Sequence, residues 1–166
     1  MRKFEVVQDW AIQYGMKEVK LPQRSTAKAA GYDFFSPVAT TIAPGETVKI
    51  HTNIKVLMPD NEALILCNRS SYGPKGIVMP NGIGLIDADF YGNKTNDGNM
   101  SFVLKNTTQA DFEIKVGDKI GQGFFIQYFT VDDDDAHGTR NGGFGSTGEW
   151  LWQIIKNIFI LFQIST

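Results

Sequence analysis

The sequence predicts an all-β fold, a distorted jelly-roll barrel or sandwich with a flexible C-terminal arm and a hydrophobic C-terminal extension. Three observations predict it. Apolar and polar residues alternate with a period of two, short apolar runs end at glycine or polar residues, and no segment before residue 150 has a long 3.6-residue period. The 17 glycines and 12% aromatic residues are typical of strands joined by tight turns.

The strand signals follow one another along the chain and predict a body over residues 1–131. Residues 47–58 alternate as a half-buried strand does, and a Pro-Asp-Asn turn follows them. The remaining strand candidates are short apolar runs or alternating segments bounded by turn residues. They are residues 63–67, 101–104, 112–116 and 120–131.

Two C-terminal segments differ from this body. Residues 132–148 begin with four consecutive aspartates and continue with many glycines, so they cannot bury enough apolar area to join the core. We interpret them as an acidic hinge and a glycine-rich arm. Residues 149–166 form a hydrophobic tail, and its stretch 150–164 carries one charge and is shorter than the roughly 20 residues that span a bilayer.

Composition excludes several classes of protein. The 16 Lys and Arg against 18 Asp and Glu give a net charge of −2, which argues against a protein that binds DNA phosphates non-specifically. Cys67 is the only cysteine, so no internal disulfide forms and a reducing compartment is favoured. The N-terminus lacks the apolar run of a signal peptide. We therefore expect a cytoplasmic protein with no nucleic-acid partner and no membrane contact.

The chemistry-bearing residues lie in short polar islands. The chain has no phosphate-binding loop of the G-x-x-x-x-G-K-[ST] type, no H-E-x-x-H and no cysteine pair, and its two histidines are far apart. The segment Arg69-Ser70-Ser71, and Arg140 with Ser146-Thr147, offer cations, hydroxyls and backbone N–H groups that suit a polyphosphate. Taken singly, each is better explained by surface ion pairs and turn caps.

Two further residues stand out from their surroundings. Phe144 lies among four glycines, where a ring has no core to join, and stacking on a planar base would explain it. Asp87 follows the apolar segment 83–86, so its carboxylate is either hydrogen-bonded for structural reasons or a general base. Together these residues indicate a nucleotide site with a lid.

Five islands in register resemble the motifs of the homotrimeric dUTPases, the deoxyuridine triphosphate nucleotidohydrolases. The resemblance covers about residues 16–148. The islands are Ala30-Gly31-Tyr32-Asp33, Arg69-Ser70-Ser71 with Gly73 and Lys75-Gly76, the segment from Gly84 to Gly92, Gly117-Asp118-Lys119-Ile120-Gly121-Gln122, and the segment from Arg140 to Gly148.

The resemblance implies a jelly-roll trimer whose active sites are shared among three chains and closed by the C-terminal arm. It implies hydrolysis of dUTP to dUMP and pyrophosphate, which keeps uracil out of DNA and supplies dUMP for dTMP synthesis. Asp87 would activate the attacking water, and Asp33 would hold Mg²⁺ through water. The substrate-binding residues would be Arg69, Ser70, Ser71, Asn81, Gly84, Phe90, Gln122, Arg140, Phe144, Gly145, Ser146 and Thr147.

Within that set, the resemblance assigns the residues to parts of the nucleotide. Asn81 and nearby backbone would read the uracil edge, and Phe90 would pack beneath the sugar. Phe144 would stack on the base. The phosphate chain would be held by Arg69, Ser70, Gln122, Arg140, Ser146 and Thr147.

The chain departs from the family pattern in several places. Phe90 stands where the family usually has tyrosine, and Gly121 stands where alanine is common, which we expect to be a minor change. Residues 93–99 look like an additional loop, expected at the surface. The tail from residue 149 has no counterpart in the pattern, and three explanations stay open: packing on the trimer, contact with a membrane surface or a partner, and an extension without a role.

Two other functions compete with hydrolysis. A dCTP deaminase of the same fold would need a glutamate shortly after the third motif, and the first glutamate after Asp87 is Glu113. A regulatory protein could use the same pocket to sense dUTP and the tail to bind a partner. The presence of Asp87 favours the enzyme.

Overall fold

The protein is described here by a computed structural model, which describes residues 1–15, 19–140 and 142. The described residues confirm the all-β fold. They form eleven strands: β1 (Lys3–Val6), β2 (Tyr32–Phe35), β3 (Thr40–Ile42), β4 (Thr47–His51), β5 (Ile54–Leu57), β6 (Glu62–Cys67), β7 (Ile77–Val78), β8 (Gly84–Asp87), β9 (Ser101–Asn106), β10 (Phe112–Ile114) and β11 (Lys119–Gln127).

The strands form two main sheets and two ribbons, with antiparallel pairing throughout. One sheet has the order β2-β11-β6-β8 and the other the order β4-β9-β7, while β1 pairs with β5 and β10 with β3. Three short 3-10 turns are the only helical elements in the described ranges: Asp9–Ala11, Gly73–Lys75 and Ala88–Phe90. Within those ranges, no helix has the length and apolar character needed to cross a bilayer.

The core lies between the two main sheets. Phe34 and Leu64 contribute from the first sheet, and Phe102 and Leu104 from the second; all four are fully buried. The rings of Phe34 and Phe102 lie 5.4 Å apart between centroids, which is the packing distance of aromatic pairs. Burial of this kind is the main favourable contribution to folding.

Gly121 is required by this core. A Cβ at Gly121 would lie 2.0 Å from the ring of Phe102, a distance that no side chain allows. The register of β11 against β2 shifts between Lys119 and Gly121, so the strand bulges at this point. The expectation that glycine for alanine is a minor change here is therefore wrong for this chain, because Phe102 fills the space of the methyl group.

The strand predicted over residues 47–58 is two strands. It breaks at Asn53, whose φ of 59° is left-handed and incompatible with a continuous strand. The buried Asn53 side chain compensates by exchanging two hydrogen bonds with the backbone of Gln13, Nδ2 to the carbonyl at 2.6 Å and Oδ1 from the N–H at 2.9 Å. Strand β5 is thereby free to pair with β1 instead of continuing β4.

The additional loop 93–99 is only partly at the surface. Asn93, Asp97 and Asn99 are at most 5% exposed, contrary to expectation. The reason is that the loop satisfies its own polar groups: Asn93 Oδ1 accepts hydrogen bonds from Thr95 and from the N–H of Asn96. A loop whose polar groups are satisfied internally can be buried at little cost.

A buried ion pair joins this loop to β5. Lys55 Nζ lies 2.7 Å from Asp97 Oδ2, and both side chains are less than 10% exposed. The same carboxylate oxygen accepts the N–H of Gln8 at 2.7 Å. The Lys55 ammonium also lies 4.7 Å from the ring centroid of Tyr91, within the range of a cation–π contact. One charge pair therefore ties together β5, the N-terminal segment and the loop.

We predict that Lys55→Met lowers the free energy of unfolding by about 3–5 kcal/mol, because it leaves Asp97 charged, buried and unpaired. Urea unfolding of the two proteins measures the difference. The matched control is Lys3→Met: Lys3 pairs with Glu5 at 2.7 Å but its side chain is 59% exposed, so its loss should change stability by less than about 1 kcal/mol. Equal effects of the two substitutions would contradict the assignment.

Candidate active site

The predicted site residues that the structure describes fall into two groups and one bridging arginine. Asp33, Arg69, Ser70, Ser71 and Gln122 lie along β2 and β11 and in the loop after β6; we call them the β11 cluster. Asn81, Gly84, Asp87 and Phe90 lie along β8 and its flanking turns; we call them the β8 cluster. Phe144, Gly145, Ser146 and Thr147 lie outside the described residues, as does the tail.

Asp33 is the centre of the β11 cluster. It is 3% exposed, and its carboxylate accepts three hydrogen bonds: from Lys119 Nζ at 2.6 Å, from Ser25 Oγ at 2.6 Å and from Gln122 Nε2 at 2.9 Å. Burial by itself raises the pKa of the Asp33 carboxyl, but the donors Lys119, Ser25 and Gln122 together outweigh it and lower the pKa to about 2. Asp33 is therefore ionised at neutral pH, and it holds Gln122 in a fixed position.

Arg69 lies beside this network. Its Nη1 donates to the carbonyl of Lys119 at 2.9 Å, and the Tyr72 hydroxyl donates to the same oxygen at 2.9 Å. The guanidinium also lies over the Tyr72 ring, 5.2 Å from its centroid. Ser70 and Ser71 follow with exposed side chains. The loop therefore presents one cation and two hydroxyls on a backbone that β11 fixes.

The β8 cluster begins at a tight hairpin. Asn81 Nδ2 donates to the carbonyl of Ile83 at 2.7 Å, which closes the tip. Gly84 is buried against β6, and a Cβ there would lie 3.2 Å from Cβ of Leu66. Asp87 ends β8 with its side chain 45% exposed. A strand paired to β6 thus carries an accessible carboxylate at its end.

Phe90 is buried immediately after Asp87, and the loop 93–99 holds its backbone. Phe90 is 3% exposed and belongs to the core. Its carbonyl accepts a hydrogen bond from Asn93 Nδ2 at 2.8 Å. Gly98 has a φ of +83°, and a Cβ at Gly98 would lie 2.9 Å from the same carbonyl, so the close approach requires glycine. The loop therefore fixes the turn that connects Asp87 to Phe90.

Arg140 pairs with the β8 cluster. Its Nη2 forms an ion pair with Asp87, and its Nε donates to Asp89 Oδ1 at 2.7 Å. The Arg140 side chain is 12% exposed, and its guanidinium carbon lies 5.7 Å from the centroid of the Phe90 ring. The arginine that the sequence assigns to a phosphate therefore covers the candidate base and the adjacent ring in the described conformation.

The two clusters are far apart within one chain. Gln122 pairs with Cys67 and Asp87 pairs with Ala63, so both side chains project from the same, non-core face of the sheet on opposite sides of β6. Four residues along β6 and two strand spacings separate them by roughly 16 Å. Leu85, 53% exposed, lies on that face between them. One chain does not bring the clusters to one phosphate.

Sequence reasoning missed three residues of these clusters. Lys119 supplies the charge that lowers the pKa of Asp33, and Asp89 shares Arg140 with Asp87. Both lie inside the polar islands quoted from the sequence. A charged residue within such an island is the signal that could have identified them. Asn93 has no signal in one sequence, because its partner is a backbone carbonyl that only the fold brings near.

Asp33 should make stability depend on pH. Because its pKa is lowered from 3.8 to about 2, its contribution is fully present above about pH 4 and is lost as the pH falls toward 2. We predict that Asp33→Asn lowers the free energy of unfolding at pH 7 by roughly 2 kcal/mol and flattens its decline at acid pH. Urea unfolding from pH 7 to pH 3 measures both effects; the exposed Asp60→Asn is the control, and an unchanged acid profile would refute the prediction.

The chain is similar to proteins of one known family. The family model described as dUTPase matches residues 17–148. The deoxyuridine 5'-triphosphate nucleotidohydrolase of Lactococcus lactis is 38% identical over 89% of this chain and 98% of its own length. The protein of the same name from Shewanella baltica is 36% identical over 79% of this chain and 88% of its own length.

Solved structures give the same result. The crystal structure of the dUTPase from Streptococcus mutans superposes with a TM-score of 0.70 and 36% identity, covering 78% of this chain and 98% of that chain. The dUTPase of phage phi11 of S. aureus, whose structure shows a structural Mg(II) ion, shares the fold at 20% identity with a TM-score of 0.65, over 84% of this chain and 99% of that chain. The chain belongs to the dUTPase family.

Proposed function

We propose that this chain hydrolyses dUTP to dUMP and pyrophosphate, with Asp87 as the general base that activates water for attack on the α-phosphate. The observation that carries the proposal is the half-exposed carboxylate of Asp87 at the end of β8, next to the buried turn of Phe90. A base must be reachable by solvent and substrate yet held in place. Pairing of Asp87 with Ala63 and burial of Phe90 meet both needs.

The reaction needs little covalent help from the protein. Phosphoryl-transfer chemistry depends mainly on positioning the nucleophile and neutralising charge on the phosphate oxygens. In this proposal Arg69, Ser70, Ser71 and Gln122 bind the phosphate chain, and the Asp33 contact keeps Gln122 oriented toward it. The cation and the hydroxyls donate hydrogen bonds of the kind that phosphate oxygens accept.

Arg140 has two states in this proposal. In the described conformation it neutralises Asp87 and Asp89 and covers the ring of Phe90. The phosphates of dUTP compete with these carboxylates for the guanidinium, because arginine pairs bidentately with phosphate as well as with carboxylate. Transfer of Arg140 to the phosphates frees Asp87 to act as the base and uncovers Phe90 for the sugar.

Recognition of the nucleoside is assigned to the β8 cluster and the arm. The hairpin of Asn81 and Gly84 takes uracil, and a narrow site there rejects the methyl group of thymine by collision. Phe90 packs beneath the deoxyribose, where shape and not a phenol oxygen rejects a 2′-hydroxyl. Phe144 stacks on the base, and Gly145, Ser146 and Thr147 complete the closure over the phosphates.

Mg²⁺ is the proposed cofactor, held mainly by the phosphate oxygens of dUTP. The Asp33 carboxylate suits a contact with Mg²⁺ through a water molecule. It already accepts three hydrogen bonds, one from an ammonium group, so about one lone-pair position is left for a metal-bound water. No group of three or more potential ligand side chains occurs in the described ranges. The ion would neutralise charge on the phosphate chain when bound.

The distance between the clusters favours a shared site. Asp87 and Gln122 lie roughly 16 Å apart on one face of a chain, and a nucleotide whose α-phosphate lies at one of them does not reach the other. A homotrimer resolves this by joining the β8 cluster of one subunit to the β11 cluster of another. The exposed apolar Ile83 and Leu85 next to Asp87 suit such an interface.

We predict that Asp87→Asn lowers kcat by roughly 10²- to 10⁴-fold while dUTP still binds, because the amide cannot accept the proton of the attacking water. Release of pyrophosphate measures turnover, and calorimetry with a non-hydrolysable dUTP analogue measures binding. Asp111→Asn, at an exposed loop position, is the control and should leave both unchanged. Retention of full turnover by Asp87→Asn would show that another group is the base.

A second experiment tests the sharing of sites. Asp87→Asn and Arg69→Ala should each be nearly inactive, because one lacks the base and the other a phosphate-binding cation. Co-expressed at equal levels, they should recover about a quarter of the wild-type activity, since random mixing in a trimer pairs an intact Asp87 with an intact Arg69 at that frequency. Absence of recovery in mixed oligomers would show that each site belongs to one chain.

A further inference from the structure

The turn that carries Phe90 is weakly held by its own backbone. It is a single 3-10 turn over Ala88–Phe90, and its closing hydrogen bond, from the N–H of Tyr91 to the carbonyl of Ala88, is 3.4 Å long. That length lies outside the roughly 2.7–3.2 Å of ordinary N–H···O bonds. The position of Phe90 therefore depends on contacts that come from outside the turn.

Asn93 supplies one of these contacts. It is 5% exposed, and its Nδ2 donates to the carbonyl of Phe90 at 2.8 Å and to Asn96 Oδ1 at 2.7 Å. Its Oδ1 accepts hydrogen bonds from the N–H and the hydroxyl of Thr95 and from the N–H of Asn96. A reversed amide would aim its NH₂ group at these donors, so the network fixes which atom faces Phe90.

Gly98 packs against the same carbonyl. A Cβ at Gly98 would lie 2.9 Å from the carbonyl oxygen of Phe90. The loop is closed on itself next to this contact, because the N–H of Asp97 donates to the carbonyl of Asn93 at 2.9 Å. The Asp97 carboxylate is in turn paired with the buried Lys55. The Phe90 carbonyl is thus held by a donor and a close backbone contact from a loop that is tied to the core.

The ring of Phe90 has no polar group that could position it. A tyrosine here could form a hydrogen bond through its hydroxyl, whereas a phenylalanine is held by packing and by its backbone. Rejection of a ribose 2′-hydroxyl by collision requires the ring to stay within about 0.5 Å of its position. A carbonyl released from Asn93 would let the turn move away from the sugar.

We propose that Asn93 is a positioning residue for Phe90, and that the loop 93–99 thereby controls the selection of deoxyribose over ribose. The inference rests on the proposed function, because it concerns the sugar of dUTP. It assigns a role to a loop that the five sequence motifs do not include. Asn93 acts through the backbone of Phe90 and not by contact with the nucleotide.

The test is Asn93→Asp, which keeps the oxygen that accepts hydrogen bonds within the loop and removes the N–H donor to Phe90. The ratio of kcat/KM for dUTP to kcat/KM for UTP should fall roughly 10-fold, the size of a discrimination by shape. The value for dUTP should stay within about threefold of the wild type, so that most of the change comes from faster hydrolysis of UTP. The ratio for dUTP over dTTP should not change, because thymine is rejected at the hairpin of Asn81 and Gly84.

Asn96→Asp is the matched control in the same loop. It keeps the Oδ1 that accepts hydrogen bonds from Asn93 Nδ2 and from the N–H of Gly98. It removes only the long hydrogen bond from Nδ2 to the carbonyl of Asn99, 3.3 Å. It should leave both ratios unchanged, because this amide does not donate to Phe90.

Gly98→Ala acts on the same carbonyl from a different residue and provides a second variant if Asn93→Asp folds poorly. Its added methyl group would meet the Phe90 oxygen at 2.9 Å, so the dUTP-to-UTP ratio should fall here too. Circular dichroism and thermal melting show whether each variant is folded.

Three outcomes would overturn the inference. An unchanged dUTP-to-UTP ratio in a folded variant would show that the contact does not position the ring. An equal fall of the sugar and base ratios would show a general loosening of the site. A wild type that hydrolyses dUTP and UTP equally well would show that nothing selects the sugar.

Failure of the proposed function would give a different result. A wild type without turnover of any of these nucleotides would refute the hydrolysis itself. Binding of non-hydrolysable dUTP and UTP analogues to the wild type and to Asn93→Asp would then still test the selection of the sugar.

Discussion

Strand β6 lies between β11 and β8, and its pairing with both neighbours fixes the position of both candidate clusters. Because Cys67 pairs with Gln122 and Ala63 pairs with Asp87, the length of one strand separates the candidate phosphate-binding residues from the candidate catalytic carboxylate. The hydrogen-bond register between these strands cannot shift to bring the two clusters together, since a shift by one residue would move every side chain to the other face. In the proposed mechanism a complete site therefore requires a second copy of the chain.

The loop 93–99 gives the β8 cluster its second support. Asn93 holds the carbonyl of Phe90, and Asp97 connects the loop to Lys55 and to the N-terminal segment. These polar groups are buried, yet each named contact pairs a donor with an acceptor, which is what makes their burial tolerable. The turn between the candidate base and the candidate sugar-binding ring is thus held by a polar network and not only by hydrophobic packing.

The pattern of apolar residues predicted most strands because alternation and short apolar runs are local properties. It failed at residues 52–53, where Asn53 adopts a left-handed conformation that depends on the distant backbone of Gln13. The loop 93–99 was expected at the surface for a similar reason: a polar composition does not reveal that Asn93 and Asp97 find partners inside. Interactions between distant segments decide both cases.

Residue types at the site were predictable, and their grouping was not. The sequence indicated an acid at Asp87 and cations and hydroxyls around Arg69, because these are the groups that phosphate chemistry uses. It contained no sign that Arg140 pairs with Asp87 in the described conformation, or that Asn93 holds the carbonyl of Phe90. Those facts depend on how β8, the loop 93–99 and the arm pack, which one sequence does not specify.

The contact between Gly121 and Phe102 couples two positions that are far apart along the chain. A Cβ at the first would occupy space that the ring of the second already fills, and Gly121 directly precedes Gln122 of the β11 cluster. The residue type at one of these positions therefore limits which residue types the other can accept during evolution. A related protein with alanine at position 121 would first need a smaller residue at position 102. The protein with that smaller residue and glycine still at position 121 would have a cavity in the core between the two main sheets.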